Sequence, residues 1–516
     1  MDAAPVDASD AQAPQEHDVC EELGLVRAPM LLATGSSFDD VAGDFTVETL
    51  DGPWTLSEHW SGCDSYVFIN YAASDYGNGL FATFPDGLYA NGPRNVHYFF
   101  ASYETNEDDI VARMQALADG LQEGFEFYEL SEAEQAFWRS RLHFVVEPLP
   151  EVEGSPGDLV RGESIIHHTF AIMRDQRFDP LGSLFRVGRS GFEPDFGMAA
   201  YAGHYYNYLA TLRERLAGED ATIVPLIDEA DVTARVFQPE VTLPDAETMG
   251  GFDTLEIDLE VHCRQTPDLC SEWDRNAYIH LCDDDACTSA KEIGRWITPY
   301  SRPGRMRWVW DASPFLGLLR DGGARRFRII TGPEWEEATT YDLRASLRLS
   351  DRGGARAREA VPAFTGGVFD ASYNTARAPF EFTPPEGTTR VELVVIVSGH
   401  GQAAPYDCAE WCNHEHTFTV NGAATHRIDF PDQAGEPLGC AARSVEGVVP
   451  GQWGNWAPGR AAWCPGLPVS AHRIDITGEV TIGAVNDLAY RGTFEGREPP
   501  GGENVVIDLS SYVVFY

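Results

Sequence analysis

Hydrophobic and polar positions change their rhythm once along this chain. Between about residues 20 and 220 the pattern mixes two periods. FTVETLDGPWTLSEHW predicts a hairpin-like start, and SYVFINYAAS and NVHYFFASY, apolar with little alternation, predict buried strands. NEDDIVARMQALADGLQ repeats its apolar positions at helical spacing. It predicts an amphipathic helix that begins near Asn106 or Glu107 and ends at Gly120. HTFAIMRDQRF predicts a further strand, and YYNYLATLRERLAGED a closing helix. A polar connection is expected over 216–240. From about 236 onward the rhythm is different. TLEIDLEVHC, AYIHLC, RFRIITG, YDLRASLRLS, VELVVIVSG, HTFTVNG, RIDITGEV and NVVIDLSSYVVFY alternate with turns rich in Gly, Pro, Asp and Asn. This is an all-β pattern of a length that suits two antiparallel jelly rolls, predicted over 236–385 and 386–516 with a seam at FTPPEGTT.

The order of elements in residues 20–220 resembles a thioredoxin-like or peroxiredoxin-like domain. The redox motif is missing: NYAASDYGNG follows the strand at the position where that family carries its cysteines, and Cys63 lies before the strand. The expected fold class is therefore multidomain, an α/β thioredoxin-like N-terminal domain without redox chemistry followed by two jelly rolls. Ahead of it, residues 1–19 are rich in Ala, Asp and Pro and predict a disordered acidic tether. They lack the charged and apolar regions of a signal peptide.

Charge and cysteines narrow the function classes. A formal net charge of −44 argues against nucleic acid, because phosphate binding wants a basic surface. No apolar run is long enough to predict a membrane span. Ten cysteines, several close in sequence and none spaced C-x2-C, predict disulfides and an oxidising compartment: secreted, periplasmic or lipid-anchored at the cell surface. Nine of the twelve tryptophans fall in the β half, several in loop sequence such as GQWGNWAPGRAAWCPG, where indoles suit contact with sugars or peptides.

Two passages carry a family resemblance. CRQTPDLCSEWDRNAYIHL leads into EIGRWITPY; SGHGQAAPYDCAEWC leads, through LGC, into GNWAPGRAAWCPG. Together they resemble the peptide-N-glycosidase F family, bacterial enzymes that remove whole N-linked glycans from asparagine. The match covers roughly 240–516, in order. The resemblance implies two eight-stranded jelly rolls and cysteine pairs Cys263–Cys270, Cys408–Cys412 and Cys440–Cys464. The remaining cysteines then pair as Cys282–Cys287 and Cys20–Cys63. Asp274, in SEWDR, matches the principal catalytic aspartate, as general base or nucleophile. Glu410, in CAEWC, matches the second acid, which orients sugar and water and stabilises charge. Arg460, in NWAPGRA, matches an arginine that clamps polar substrate groups. Trp273, Arg275 and Trp463 match residues lining the same cleft.

The sequence also departs from the family. A third acid expected in a T-E-T-W segment meets TGPEW here; with Trp335 in register, Pro333 takes the acid's position and Glu334 is one residue off, which on a strand reverses the face. His400 replaces a cleft tryptophan, Gln402 a histidine and Gly459 an acid. His400, His414 and His416 form a candidate site for a single metal ion, although the amidase chemistry requires no cofactor. The expected function is an exported amidase acting on N-glycosylated peptides or proteins. The alternative is a glycan- or peptide-binding module on the same scaffold that does not cleave. Oligomeric state is not legible.

Overall fold

The computed structural model describes residues 18–516 apart from 84–85, 164, 166–168, 189–190, 232–234, 264–271, 334–341, 376, 407, 500 and 503. Of the expected tether, Asp18 and Val19 are described: Asp18 caps the short helix Val19–Glu22, which Cys20 ties to Cys63.

The N-terminal domain is built on a seven-stranded sheet. Its order is Gly52–Thr55, Thr46–Thr49, Leu142–Pro148, Val96–Ser102, Ser65–Tyr71, Thr169–Ile172, Phe178–Asp179. The three central strands run parallel, and the strands beyond them on either side pair antiparallel. SYVFINY and VHYFFAS are buried along their whole length, which explains the lack of alternation: parallel central strands are covered on both faces. The helix expected to stop at Gly120 runs over Glu107–Phe127. Its buried stripe of Ile110, Met114 and Leu117 continues as Leu121 and Phe125, and that burial outweighs the weak helix propensity of Gly120 and Gly124. Asn106 caps it, accepting from the Asp108 amide at 3.1 Å.

The β half forms two pairs of antiparallel sheets with jelly-roll-like build. In the first, Thr222–Asp231, Asp342–Ser350, Thr254–Cys263 and Gly304–Asp311 make one sheet. Its partner sheet centres on Gly322–Ile330, Asn276–Cys282 and Ala290–Ile297. In the second, Glu359–Val368, Val506–Phe515, Val391–His400 and His472–Asp475 face Phe380–Phe382, Asn486–Phe494, His414–Val420 and Ala424–Ile428.

Two expected boundaries move. Thr222–Asp231 lies in the supposed polar connection but is an edge strand paired with Asp342–Ser350; its polar residues suit an exposed edge. Glu359–Val368 and Phe380–Phe382 pair with Val506–Phe515 and Asn486–Phe494. The seam therefore falls at 351–358, ahead of FTPPEGTT.

The strand Val391–His400 explains how the halves join. Val391, Leu393, Val395 and Val397 enter the core of the second jelly roll. Val394 and Ile396, on the opposite face, enter a core shared with the first. A strand that serves two cores reads as a continuous apolar run. The pairing of Leu467–Pro468 with Trp296–Ile297 adds a backbone link between the halves.

The N-terminal domain docks through a buried ion pair. Arg302 meets Asp179 at 2.6 and 3.2 Å with both side chains out of solvent, and the Tyr206 hydroxyl donates to Asp179 at 2.8 Å. Among the described residues no helix is long and apolar enough to cross a membrane.

Removing one partner of such a pair strands a buried charge. Arg302→Met should cost about 3–5 kcal/mol in urea unfolding, and the double variant Arg302→Met/Asp179→Leu should recover part of it.

Candidate active site

The site is organised around Arg460, whose side chain is 0% exposed. A guanidinium has five donors and cannot shed its charge, so each direction needs an acceptor. Nε donates to Glu410 Oε1 at 3.1 Å, and one terminal nitrogen to the Pro458 carbonyl at 3.0 Å. The other terminal nitrogen serves the Asn455 carbonyl and the Tyr300 hydroxyl (3.2 Å), with Asp274 Oδ2 at 3.6 Å. The indoles of Trp411 and Trp463 lie 4.5 and 4.9 Å from its central carbon, excluding water while offering their π faces.

Each partner reaches Arg460 from a different part of the chain. Glu410 is held in the small loop closed by Cys408–Cys412, where the α-carbons are 4.9 Å apart. Residues 408–409 pair with 402–403, the Glu410 amide donates to the Gly401 carbonyl at 3.0 Å, and its own carbonyl accepts from Ala461 at 3.0 Å. Asp274 sits just before the strand Asn276–Cys282. Thr298 fixes that turn: its hydroxyl accepts from the Arg275 amide at 2.8 Å and donates to the Trp273 carbonyl at 3.1 Å. Tyr300 comes from the loop that leaves Ala290–Ile297. Its ring lies so close to Gly454 that a Cβ there would stand 2.5 Å from it.

Asp274 and Glu410 thus flank one cation between the two jelly rolls. Their side chains are 14% and 13% exposed, so each keeps an edge toward solvent. Burial pushes the Glu410 carboxyl up to about 7 against the pull of Arg460, and the neighbouring Asp274 charge adds to the rise. Burial raises Asp274 as well, opposed by Arg460 and by a hydrogen bond from Tyr300.

The other predicted residues fall around this centre. Trp273 is 51% exposed at the rim. Trp463 is buried beneath Arg460 and donates its indole N–H to the Gly399 carbonyl at 2.7 Å. His400 lies against Trp463, ring centroids 4.8 Å apart, with Nε2 2.8 Å from Ser398 Oγ; burial lowers its pKa to about 3, so it is neutral. Glu334, Trp335 and Cys270 lie outside the described residues. Cys263 is disulfide-bonded, and Cys20–Cys63, Cys282–Cys287, Cys408–Cys412 and Cys440–Cys464 are formed.

The candidate metal site is corrected. His414 and His416 do share a face, but they spend nitrogens on each other (2.7 Å) and on Tyr490 (2.8 Å), inside the second core. His400 is engaged elsewhere, and no group of three or more potential ligands occurs among the described residues.

Sequence reading missed two contributors. Tyr300 stands in the quoted segment WITPY, but nothing in its spacing marks it. Arg295, in the same segment, is fully buried. It binds Glu292 through two bonds of 2.8 Å, Ser398 at 2.8 Å and Asp508 at 3.0 Å, tying the first jelly roll to the second. A charge amid an apolar strand was the available signal.

Known proteins resemble parts of this chain. Residues 369–514 match the family model described as peptide-N-glycosidase F, C terminal. Over 243 residues the chain is 30% identical to peptide-N(4)-(N-acetyl-beta-D-glucosaminyl)asparagine amidase F of Elizabethkingia miricola, a match covering 43% of this chain and 63% of that protein. The chain is similar to peptide-N-glycosidase F over part of its length. The resemblance carried by CAEWC and NWAPGRAAWCPG is borne out as a likeness, and the protein it points to is an amidase by name. The chain thus spans less than two thirds of that relative's length. Among solved structures, peptide-N-glycosidase F from Flavobacterium meningosepticum gives a TM-score of 0.45 at 23% identity, over 58% of this chain and 96% of that one. PNGF-II gives 0.45 at 12% identity, over 59% and 66%.

The raised Glu410 carboxyl has a stability consequence. Its protonated form favours the fold, so its contribution is full below the ordinary value of 4.5 and is lost as pH rises through about 7. Glu410→Gln mimics the protonated state. Its Tm relative to wild type should rise between about pH 5 and about pH 8, by the equivalent of up to about 3 kcal/mol; a constant difference contradicts the shift.

Proposed function

We propose that this protein hydrolyses the side-chain amide joining an N-linked glycan to asparagine, releasing the intact glycan from glycopeptides or glycoproteins. The observation that carries the reading is the convergence of Asp274 and Glu410, each with an edge toward solvent, on Arg460 between two jelly rolls. A module that only binds sugars has no need of two carboxylates sharing one buried cation.

The amide carbonyl needs a nucleophile, and the leaving nitrogen needs a proton. Burial raises both carboxyls and the Asp274 charge raises Glu410 further, so the pair resists holding two negative charges. The Tyr300 hydrogen bond favours the ionised form of Asp274, which leaves the proton with Glu410. Asp274 then serves as base toward water or as nucleophile. Glu410 orients the first sugar and the water, and its proton is available to the departing nitrogen. Arg460 stabilises negative charge as it builds. The glycosylamine product loses ammonia in water. Every step uses groups of this chain.

Trp273, half exposed at the rim, suits contact with a sugar face or the peptide, with Arg275 beside it. His400 and Trp463 shape the wall behind Arg460. Four described disulfides support an oxidising compartment and an exported protein. We also infer that residues 20–220 have a thioredoxin-like fold without the redox motif. In support, three parallel central strands carry an antiparallel pair on one side, and Cys63 is locked to Cys20.

Incubation with a denatured N-glycoprotein, followed by peptide mass analysis, tests the activity. The expected outcome is an intact free glycan and conversion of the glycosylated Asn to Asp. Asp274→Asn should lower kcat by roughly 100-fold or more while glycopeptide binding persists. Binding without cleavage by the wild type would identify a non-catalytic module instead.

A further inference from the structure

The N-terminal domain touches the loop that positions Tyr300 and Arg460. Gly182 and Gly451, both with positive φ (+88° and +76°), pack backbone to backbone: a Cβ on Gly182 would collide with the Gly451 carbonyl and one on Gly451 with the Leu181 carbonyl. The Ser183 amide donates to the Gly451 carbonyl at 2.8 Å, and the Ser183 hydroxyl donates to the Gln452 carbonyl at 2.7 Å. Ser183 is 1% exposed and Gln452 0%.

Gln452 carries this contact inward. Its Oε1 accepts from the Tyr300 amide at 2.9 Å, and its Nε2 donates to the Val449 and Pro465 carbonyls at 2.7 and 2.9 Å. The next residue, Trp453, donates its amide to the Tyr300 carbonyl at 3.3 Å, and its ring takes the edge of Phe185 at 5.0 Å. Two residues on, Asn455 offers its carbonyl to Arg460. The segment 451–455 is thus gripped from one side by the N-terminal domain and holds Tyr300 and Arg460 with the other.

We propose that Ser183 is a positioning residue for the active site: through Gln452 it fixes where Tyr300 presents its hydroxyl to Asp274 and Arg460. The N-terminal domain is then a working part of the hydrolytic centre rather than an appendage. The proposal rests on the amidase reading for its kinetic consequence, but its structural content is readable without turnover. Buried hydrogen bonds of this kind set geometry, and small displacements of groups aimed at a reacting centre cost rate more than binding.

The test compares full-length wild type, Ser183→Ala and Val47→Ala. Val47 lies in a separate core of the N-terminal domain, so its truncation destabilises that domain without touching 451–455. Two readouts are taken: 13C carboxyl titration of Asp274 and Glu410, assigned with Asp274→Asn and Glu410→Gln, and steady-state kinetics on a glycopeptide. The charged or titratable groups acting on Asp274 are Arg460, Tyr300, Arg275 and Glu410. Loosening Tyr300 and Arg460 leaves burial less opposed. In Ser183→Ala the carboxyl midpoints should rise by roughly half a pH unit. Its kcat should fall roughly tenfold with KM little changed. Val47→Ala should lose Tm alone.

If folded Ser183→Ala keeps wild-type midpoints and kcat, or shifts only as Val47→Ala does, the proposal is overturned. If Ser183→Ala does not fold, Phe185→Leu, which loosens Trp453 from the same side, takes its place with the same expected and contrary results. If the wild type cleaves no glycopeptide, the amidase reading fails, while the titrations still decide whether Ser183 governs the carboxyl pair.

Discussion

A guanidinium with no access to water is the constraint on which the rest of this molecule turns. Arg460 cannot be neutralised, and leaving it unpaired in a dry site is far more costly than any local rearrangement. Its partners come from four separate stretches: the disulfide clasp around Glu410, the turn carrying Asp274, the loop carrying Tyr300 and the backbone near Asn455. None of these can shift without leaving a buried donor unmet. The two jelly rolls must therefore meet in one register, and the two acids must face each other.

The same device recurs at the other seams. Arg295, Arg302 and Arg460 are among the largest fully buried side chains. Arg295 ties the first jelly roll to the second through Asp508 and Ser398, and Arg302 ties the N-terminal domain to the first jelly roll through Asp179. In a chain of net charge −44 the surface is dominated by carboxylates, while these cations are drawn inward to join modules. A planar, forked donor suits that role, because it can satisfy several acceptors at once where a lysine offers a single point charge.

Much of this was legible in the sequence because it depends on local pattern. Unbroken apolar runs marked the central parallel strands, turn-bounded segments marked the β half, SEWDR and CAEWC marked Asp274 and Glu410, and NWAPGRA marked the arginine that both approach. What was not legible depends on which strands pair. Glu359–Val368 carries no signal that assigns it to the second jelly roll, since only its partner Val506–Phe515 decides. Thr222–Asp231 reads as linker because Pro225 and the acidic residues Asp228, Glu229 and Asp231 break its apolar run, although Val224, Leu226 and Ile227 enter the core. His414 and His416 have the spacing of metal ligands, but His414 Nδ1 and both nitrogens of His416 are spent on each other and on Tyr490, a residue distant in sequence. Tyr300 enters the site through Gln452 and Gly454, contacts that no periodicity encodes.

The central claim is that one buried cation gathers two carboxyls into a hydrolytic centre. Single-turnover cleavage of a glycopeptide by Arg460→Lys tests it most directly, since lysine keeps the charge but loses the fork that reaches Glu410, Tyr300 and Asp274 together. The account predicts a folded protein whose cleavage rate falls by roughly 100-fold or more. A folded Arg460→Lys variant that cleaves at the wild-type rate would contradict it.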